Sequence, residues 1–301
     1  MRWRKLGKIW HTRTYPTWQY AHSMMPTADH LWGDIWRIYF SGRDNNNRSL
    51  VGFFTIDLNN PEKILEVSEK PALGVGELGC FDDNGVTPAS IISLSDRKLL
   101  YYCGWKPRGT TRFGLTPGLA ESKDGGLSFT RVSRAPILRQ TDREPLTILT
   151  APFVMADREQ WHMWYVSGVK WLNPDLPQYD IKYAKSLDGI NWEQTGKVCI
   201  ELRKDQENAL GRPCVIKNNE TYRMWYSFKG RGNTYRIGYA ESGDGIEWER
   251  LDHLSGIDVS NEGWDSEMIT YAFVINHKNR KYMFYNGNGY GLSGIGLATE
   301  E

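Results

Sequence analysis

One phrase recurs along the chain. Gly118-Leu-Ala-Glu-Ser-Lys-Asp-Gly-Gly-Leu-Ser-Phe129 returns as Ile181-Lys-Tyr-Ala-Lys-Ser-Leu-Asp-Gly-Ile-Asn-Trp192 and as Ile237-Gly-Tyr-Ala-Glu-Ser-Gly-Asp-Gly-Ile-Glu-Trp248. A truncated copy, Ile295-Gly-Leu-Ala-Thr-Glu300, stands last. In each full copy a strand of alternating character ends in Ser-x-Asp-Gly, turns, and restarts on an aromatic residue. A unit repeated every ~50 residues reads as a propeller or an array.

The rest of the chain agrees. Apolar runs are short, rich in aromatic and β-branched residues, and separated by Gly, Asn, Asp and Pro clusters, which predicts an all-β protein. The 13 Trp and 16 Tyr residues suit pleated sheets and ligand-stacking surfaces alike. Five units can be laid over the sequence, at about 22–73, 76–138, 142–202, 207–253 and 262–301, each with strand, aromatic strand, strand, Asp-Gly turn and strand. The fifth unit lacks its last strand, and Trp3-Arg-Lys-Leu-Gly-Lys-Ile-Trp10 is a spare first one. The expected architecture is therefore a single-domain five-bladed β-propeller of four-stranded antiparallel blades, residues 2–10 completing the last blade. A six-bladed ring with one degenerate blade is the alternative. Closure leaves only short, protected edges.

Lys and Arg (37) nearly balance Asp and Glu (36), so nothing calls for a nucleic-acid partner. No apolar run has the length of a signal peptide or a membrane span, and a cytoplasmic protein without a membrane partner is expected. Cys80, Cys103, Cys199 and Cys214 have no Cys-x-x-Cys spacing, and no metal or other cofactor is expected. The runs around Cys103 and Cys214 read as strands holding buried thiols. The Asp-Gly turns read as structural, with the carboxylate accepting N–H groups across its own turn.

Chemistry is expected where the loops entering the innermost strands meet at one end of the axis. Aligning the units on Pro26, Pro88, Pro152, Pro213 and Tyr271 brings Asp82, Asp83, Glu144, Glu207, Asp265 and Glu267 to that mouth. Glu267 breaks the repeat and is the leading catalytic candidate, followed by Glu207 and Asp83. Asp82 and Asp265 each follow an aromatic at equivalent positions, and serve either as structural caps or as substrate contacts. Arg212 could anchor a ligand oxygen or pair with Glu207. His22 could orient substrate or be a hydrogen-bonded structural residue. Trp105, Trp171 and Tyr290, with Trp18, Tyr20 and Tyr179, are assigned to loops where they could stack on sugar rings. Two long connections, Trp105–Pro117 and Val169–Tyr179, add further candidate binding surface.

The grammar Trp/Phe-Asp…Pro-x-x-Ile, Tyr-x-Met-Trp-Tyr-Ser, Ile-x-Tyr-Ala-x-Ser-x-Asp-Gly-x-x-Trp resembles that of the five-bladed propeller glycosidases of arabinanase/xylosidase, invertase and mannoside-phosphorylase type. It covers nearly the whole chain. The resemblance implies a hydrolase of carbohydrate metabolism that cleaves a glycosidic bond in a small saccharide or glycoconjugate with paired axial carboxylates. Where the invertase type carries an Asn-Asp-Pro-Asn phrase, this chain has Ala21-His-Ser-Met-Met-Pro26, so the implied catalytic set is rearranged. Ser122–Phe129 also matches the Asp-box spacing of sialidases, a six-bladed class and a second enzymatic alternative. A non-catalytic carbohydrate-binding propeller would keep the aromatic loops and need no carboxylate pair.

Overall fold

A computed structural model describes residues 1–11, 18–157, 160–232 and 234–301. Strand β1 (Trp3–Trp10) comes first. Blade 1 is β2 (Ala21–Trp32), β3 (Ile35–Arg43), β4 (Ser49–Asp57) and β5 (Asn60–Val67). Blade 2 is β6 (Val86–Ser93), β7 (Lys98–Pro107), β8 (Phe113–Ser122) and β9 (Thr130–Arg131). Blade 3 is β10 (Leu149–Ala156), β11 (Trp161–Asn173), β12 (Leu176–Ser186) and β13 (Glu193–Ile200). Blade 4 is β14 (Glu207–Asn218), β15 (Thr221–Gly230), β16 (Tyr235–Ser242) and β17 (Glu249–Arg250). Blade 5 is β18 (Thr270–His277), β19 (Arg280–Asn286), β20 (Ile295–Glu300) and, outermost, β1. All five sheets are antiparallel with four strands each, and β1 closes the ring against β20 from Trp3↔Glu300 to Trp10↔Ile295.

The seam is sealed by aromatic packing. Trp10 stacks on Phe54 of blade 1 at 4.5 Å, and Trp3 meets Trp225 of blade 4 edge-on at 6.0 Å. Burial of each indole stabilises the closed ring by on the order of 3 kcal/mol. The Ser-x-Asp-Gly turns join neighbouring blades. Asp188 accepts the N–H groups of Ile190 and Asn191, each at 2.8 Å, while Tyr101 of blade 2 donates to the Gly189 carbonyl at 2.8 Å. Tyr39 donates likewise to Gly126, and the Trp164 indole to Gly245. The middle-strand aromatic of one blade thus fastens the turn of the next, which accounts for the recurrence of both motifs.

The innermost strands do not run straight. Met25, Ala151, Arg212 and Tyr271 adopt φ of 55°, 48°, 44° and 56°, and the strand register shifts at each. Left-handed backbone is strained for side-chain-bearing residues, especially before proline. It is held by the neighbouring blade: the Met25, Ala151 and Tyr271 N–H groups donate to Asn286 Oδ1 (2.8 Å), Cys103 Sγ (2.9 Å) and Ser227 Oγ (2.9 Å). This corrects the sequence alignment in blade 5. Tyr271 is the left-handed residue, and Ala272 takes the place that proline fills in blades 1, 3 and 4. Cys103, Cys199 and Cys214 are buried free thiols. Among the described residues no helix is long and apolar enough to cross a membrane.

Candidate functional site

Four of the acidic residues that precede or open the inner strands serve the blades that carry them. Asp82 accepts from Tyr102 Oη (2.9 Å) and Arg131 Nε (2.7 Å). Glu144 accepts from Tyr165 Oη (2.8 Å) and Gln194 Nε2 (2.9 Å), with Lys182 Nζ at 3.8 Å. Asp265 accepts from Tyr285 Oη (3.0 Å) and Lys5 Nζ (2.7 Å). Glu207 accepts from Arg250 through both oxygens and from the Arg203 N–H at 3.0 Å. For Asp82, Glu144 and Asp265 the partners come largely from the second and outermost strands, and Glu207 is met by the outermost strand and the loop before its own, so each carboxylate clasps its own sheet. All four are buried.

The other predicted residues fare differently. Asp83 accepts from Gly79 N–H (2.8 Å) and Lys106 Nζ (3.0 Å). Burial pushes its carboxyl up, but those two donors outweigh it and hold it below the usual range. Glu267 is exposed, and its backbone is tied down by Asn288 Oδ1 (2.9 Å) and by Arg236 on its carbonyl. Trp105 and Trp171 lie on strands rather than loops, because β7–β8 and β11–β12 are long hairpins whose ladders continue past the blade. Phe113 bridges the two indoles, at 4.6 Å from Trp105 and 5.4 Å from Trp171. Tyr290 sits at φ 58° in the turn Asn288–Gly291, partly exposed.

At the axis the structure gathers another set. Tyr179, Tyr235, Tyr271 and Tyr290 come from blades 3, 4, 5 and 5. The Tyr235 ring lies 6.3 Å from Tyr271 and 5.9 Å from Tyr290, the latter edge-on. Tyr179 and Tyr271 flank the small apolar plug of Met25, Ala89, Cys103, Ala151 and Val166. Burial raises the Tyr179, Tyr235 and Tyr271 hydroxyls above the ordinary phenol range, so they remain neutral donors. His22, at φ 62°, is lowered to about 4 by burial and by the Arg43 charge, and is neutral at pH 7.

Arg212 does not pair with Glu207. It runs along the axis at 1% exposure, donating through Nη2 to Pro26 O (2.8 Å), Thr27 Oγ1 (3.0 Å) and Ala89 O (3.2 Å). Its guanidinium lies over the Phe273 ring, and burial lowers it to about 10, still charged at neutral pH. Its Nε and Nη1 have no hydrogen-bond partner among the described residues. Sequence reasoning missed Tyr235, Arg43 and Arg112. No sequence pattern marks these three; the one departure in blade 5 is Ala272, which stands where blades 1, 3 and 4 carry proline. A groove at the outer turn of blade 3, lined by Gln160, Leu187, Asp188 and Glu193, is remote from the axis. Its Asp188 is engaged in its own turn.

A closed ring of five four-stranded antiparallel blades defines the structural class. The fold is that of the five-bladed propeller glycoside hydrolases. A protein described as a glycoside hydrolase superposes with TM-score 0.77 at 19% identity, over 99% of this chain and 92% of its own. A thermostable family-43 glycoside hydrolase gives 0.70 at 17%, over 97% and 92%. The β-1,2-mannobiose phosphorylase of Listeria innocua gives 0.66 at 11%, over 93% and 90%. By sequence, the chain is 41% identical over 302 residues to two Mycobacterium tuberculosis proteins, uncharacterized protein MT1551 of strain CDC 1551 / Oshkosh and uncharacterized protein Rv1502 of strain ATCC 25618 / H37Rv, with 100% of each chain covered. The chain belongs to the family of these two mycobacterial proteins. No protein-family model matches it.

Proposed function

We propose that the protein is a carbohydrate-active enzyme of glycoside-hydrolase type, acting on a glycosidic bond of a small saccharide or sugar conjugate at the axial mouth. The observation that carries this is the ring of tyrosines around the axis, with Tyr235 against Tyr271 and Tyr290. Aromatic faces bordered by hydroxyl donors suit a sugar ring, which offers C–H surface on its faces and hydroxyls at its edge. Trp105, Phe113 and Trp171 extend an aromatic surface along the hairpins of blades 2 and 3.

Of the three carboxylates weighed for chemistry, Glu207 drops out because Arg250 engages both of its oxygens. Glu267 is the acid/base, exposed and anchored next to the turn that bears Tyr290. Asp83, held ionised by Lys106, is its partner. His22 is a neutral hydrogen-bonding group that orients the sugar. A second reading, a non-catalytic sugar-binding propeller, is favoured by the four carboxylates committed to clasps.

The test is product analysis by mass spectrometry with oligosaccharides, aryl glycosides and glycoconjugates, comparing wild type with Glu267→Gln. A loss of turnover of about 10²-fold or more in the variant is expected, the lower range for an acid/base group. Equal turnover in both proteins removes Glu267 from the chemistry. Sugar binding without turnover by either establishes the binding-module reading.

A further inference from the structure

Arg212 stands at the axis without a carboxylate, and Arg43 and Arg112, two electrostatic neighbours of the tyrosine cluster, have none either. Arg212 is described above. Arg43, at the end of β3, donates to Asn47 Oδ1 at 3.0 Å. Arg112, exposed, lies just before β8, and its backbone N–H is fixed by the Pro174 carbonyl (2.8 Å) of the neighbouring hairpin. Arg43 is half-buried. Burial lowers its guanidinium below the usual value, nearby Tyr271 raises it, and Arg112 is close enough to lower it further. Arg112 also acts on Tyr179, and Arg212 on Tyr271, so the three charges border the same tyrosine cluster.

The contrast with the rest of the molecule is informative. Arg37, Arg131 and Arg250, the other well-covered arginines, each meet a carboxylate: Glu66 at 3.2 Å, Asp82 at 2.7 Å and Glu207. Among the described residues neither Arg43, Arg112 nor Arg212 has an ion pair. An uncompensated buried cation is costly, and two guanidinium groups held within repelling distance add to that cost. A fold that supplies a carboxylate to every other buried or half-buried arginine among the described residues, and none to Arg43 or Arg212, leaves the counter-charge to a ligand.

We propose that the axial mouth takes a phosphorylated saccharide, its phosphate held by Arg43 and Arg112 above the buried charge of Arg212. Guanidinium forks match phosphate oxygens, and neutral tyrosine hydroxyls can donate to the same anion. A charge near −2 suits several arginines better than the single charge of a sugar carboxylate. Glu267 is exposed at the rim and makes no ion pair with any of the three. This inference rests on the carbohydrate reading for the sugar moiety; the anion site stands on the arginines alone.

The experiment is titration calorimetry and thermal shift on wild type, Arg112→Gln and the Arg43→Gln/Arg112→Gln double variant. The probes are hexose phosphates, the same hexoses without phosphate, and inorganic phosphate. Arg112 is exposed, so its single variant reports even where the double variant folds poorly. At least one hexose phosphate is expected to bind about tenfold or more tightly than its parent sugar, with that advantage lost in the variants. Inorganic phosphate binding as tightly as any hexose phosphate, with the same arginine dependence, supports the anion site and makes free phosphate its ligand. Parent sugars binding as well as phosphorylated ones, with the variants unchanged, overturns the inference and leaves the carbohydrate reading standing. Arginine-dependent phosphate binding with no affinity for any sugar keeps the anion site and sinks the carbohydrate reading. Absence of binding by every probe overturns both.

Discussion

The Lys5 ammonium donates to the Asp265 carboxylate at 2.7 Å across 260 residues of chain. Asp265 is buried and also accepts from Tyr285 at 3.0 Å. Lys5 does in blade 5 what Arg131 does in blade 2 and Arg250 in blade 4, supplying the cation of the clasp from the outermost strand. Here that strand comes from the other end of the sequence, so the same ion pair that orders a blade also closes the ring.

Lys5→Met therefore leaves a buried carboxylate with one hydroxyl donor. We expect a loss of about 3 kcal/mol in urea unfolding, the lower end for breaking a buried pair. Asp265→Asn in the same background recovers part of that loss, because the uncompensated charge goes with it. Deleting residues 1–10 exposes the β20 edge and the Trp3 and Trp10 contacts, and size-exclusion chromatography should then show self-association.

Glu207 and Glu267 separate structure from chemistry. Glu207→Ala strands the Arg250 guanidinium and is expected to cost about 3–5 kcal/mol, read as a large drop in melting temperature. Glu267→Gln changes an exposed side chain and should stay within about 0.5 kcal/mol of wild type. Turnover by the folded fraction should show the reverse order, retained in Glu207→Ala and lost in Glu267→Gln.

Asp180, on β12, is a buried carboxyl raised to about 6 by burial, with one oxygen unpartnered. The folded state holds its proton to higher pH than the unfolded chain, so between pH 4 and 6 folding stability falls as pH rises. Asp180→Asn should remove that slope and gain about 2–3 kcal/mol at pH 7. His22 works in the opposite sense. Its folded-state value near 4 lies below the unfolded one, so stability is full above about 6.5 and is lost as pH falls through about 4. Unfolding midpoints at half-unit pH steps for wild type, Asp180→Asn and His22→Gln resolve the two opposing slopes. An Asp180→Asn profile that follows the wild-type one, with no gain at pH 7, would count against the burial of that charge.

The Asp-Gly turns were legible because their physics is local. Asp124, Asp188 and Asp244 accept N–H groups within four residues, and the phrase repeats with few changes. Ring closure was legible for a related reason, since a spare strand and a missing strand of the same outer type can be matched by counting. Trp105 and Trp171 read as loop residues in the sequence because hairpins that outgrow the blade keep pairing only through partners in the next strand. Tyr271 falls one residue out of register with the prolines, because a left-handed bulge leaves no mark on residue spacing.

The sequence by itself determined the number of blades, their strand order and the seam, because these follow from period, turn chemistry and counting. Only the tertiary structure decided which charged groups are committed and which are open. The cations that clasp Asp82 and Glu207 lie 49 and 43 residues further along the chain, and that of Asp265 comes from the first strand. The axial tyrosines and arginines come from all five blades, brought together by ring geometry that no local pattern encodes. Whether a carboxylate or a guanidinium has a partner is a property of distance in space, and that was settled when the ring closed.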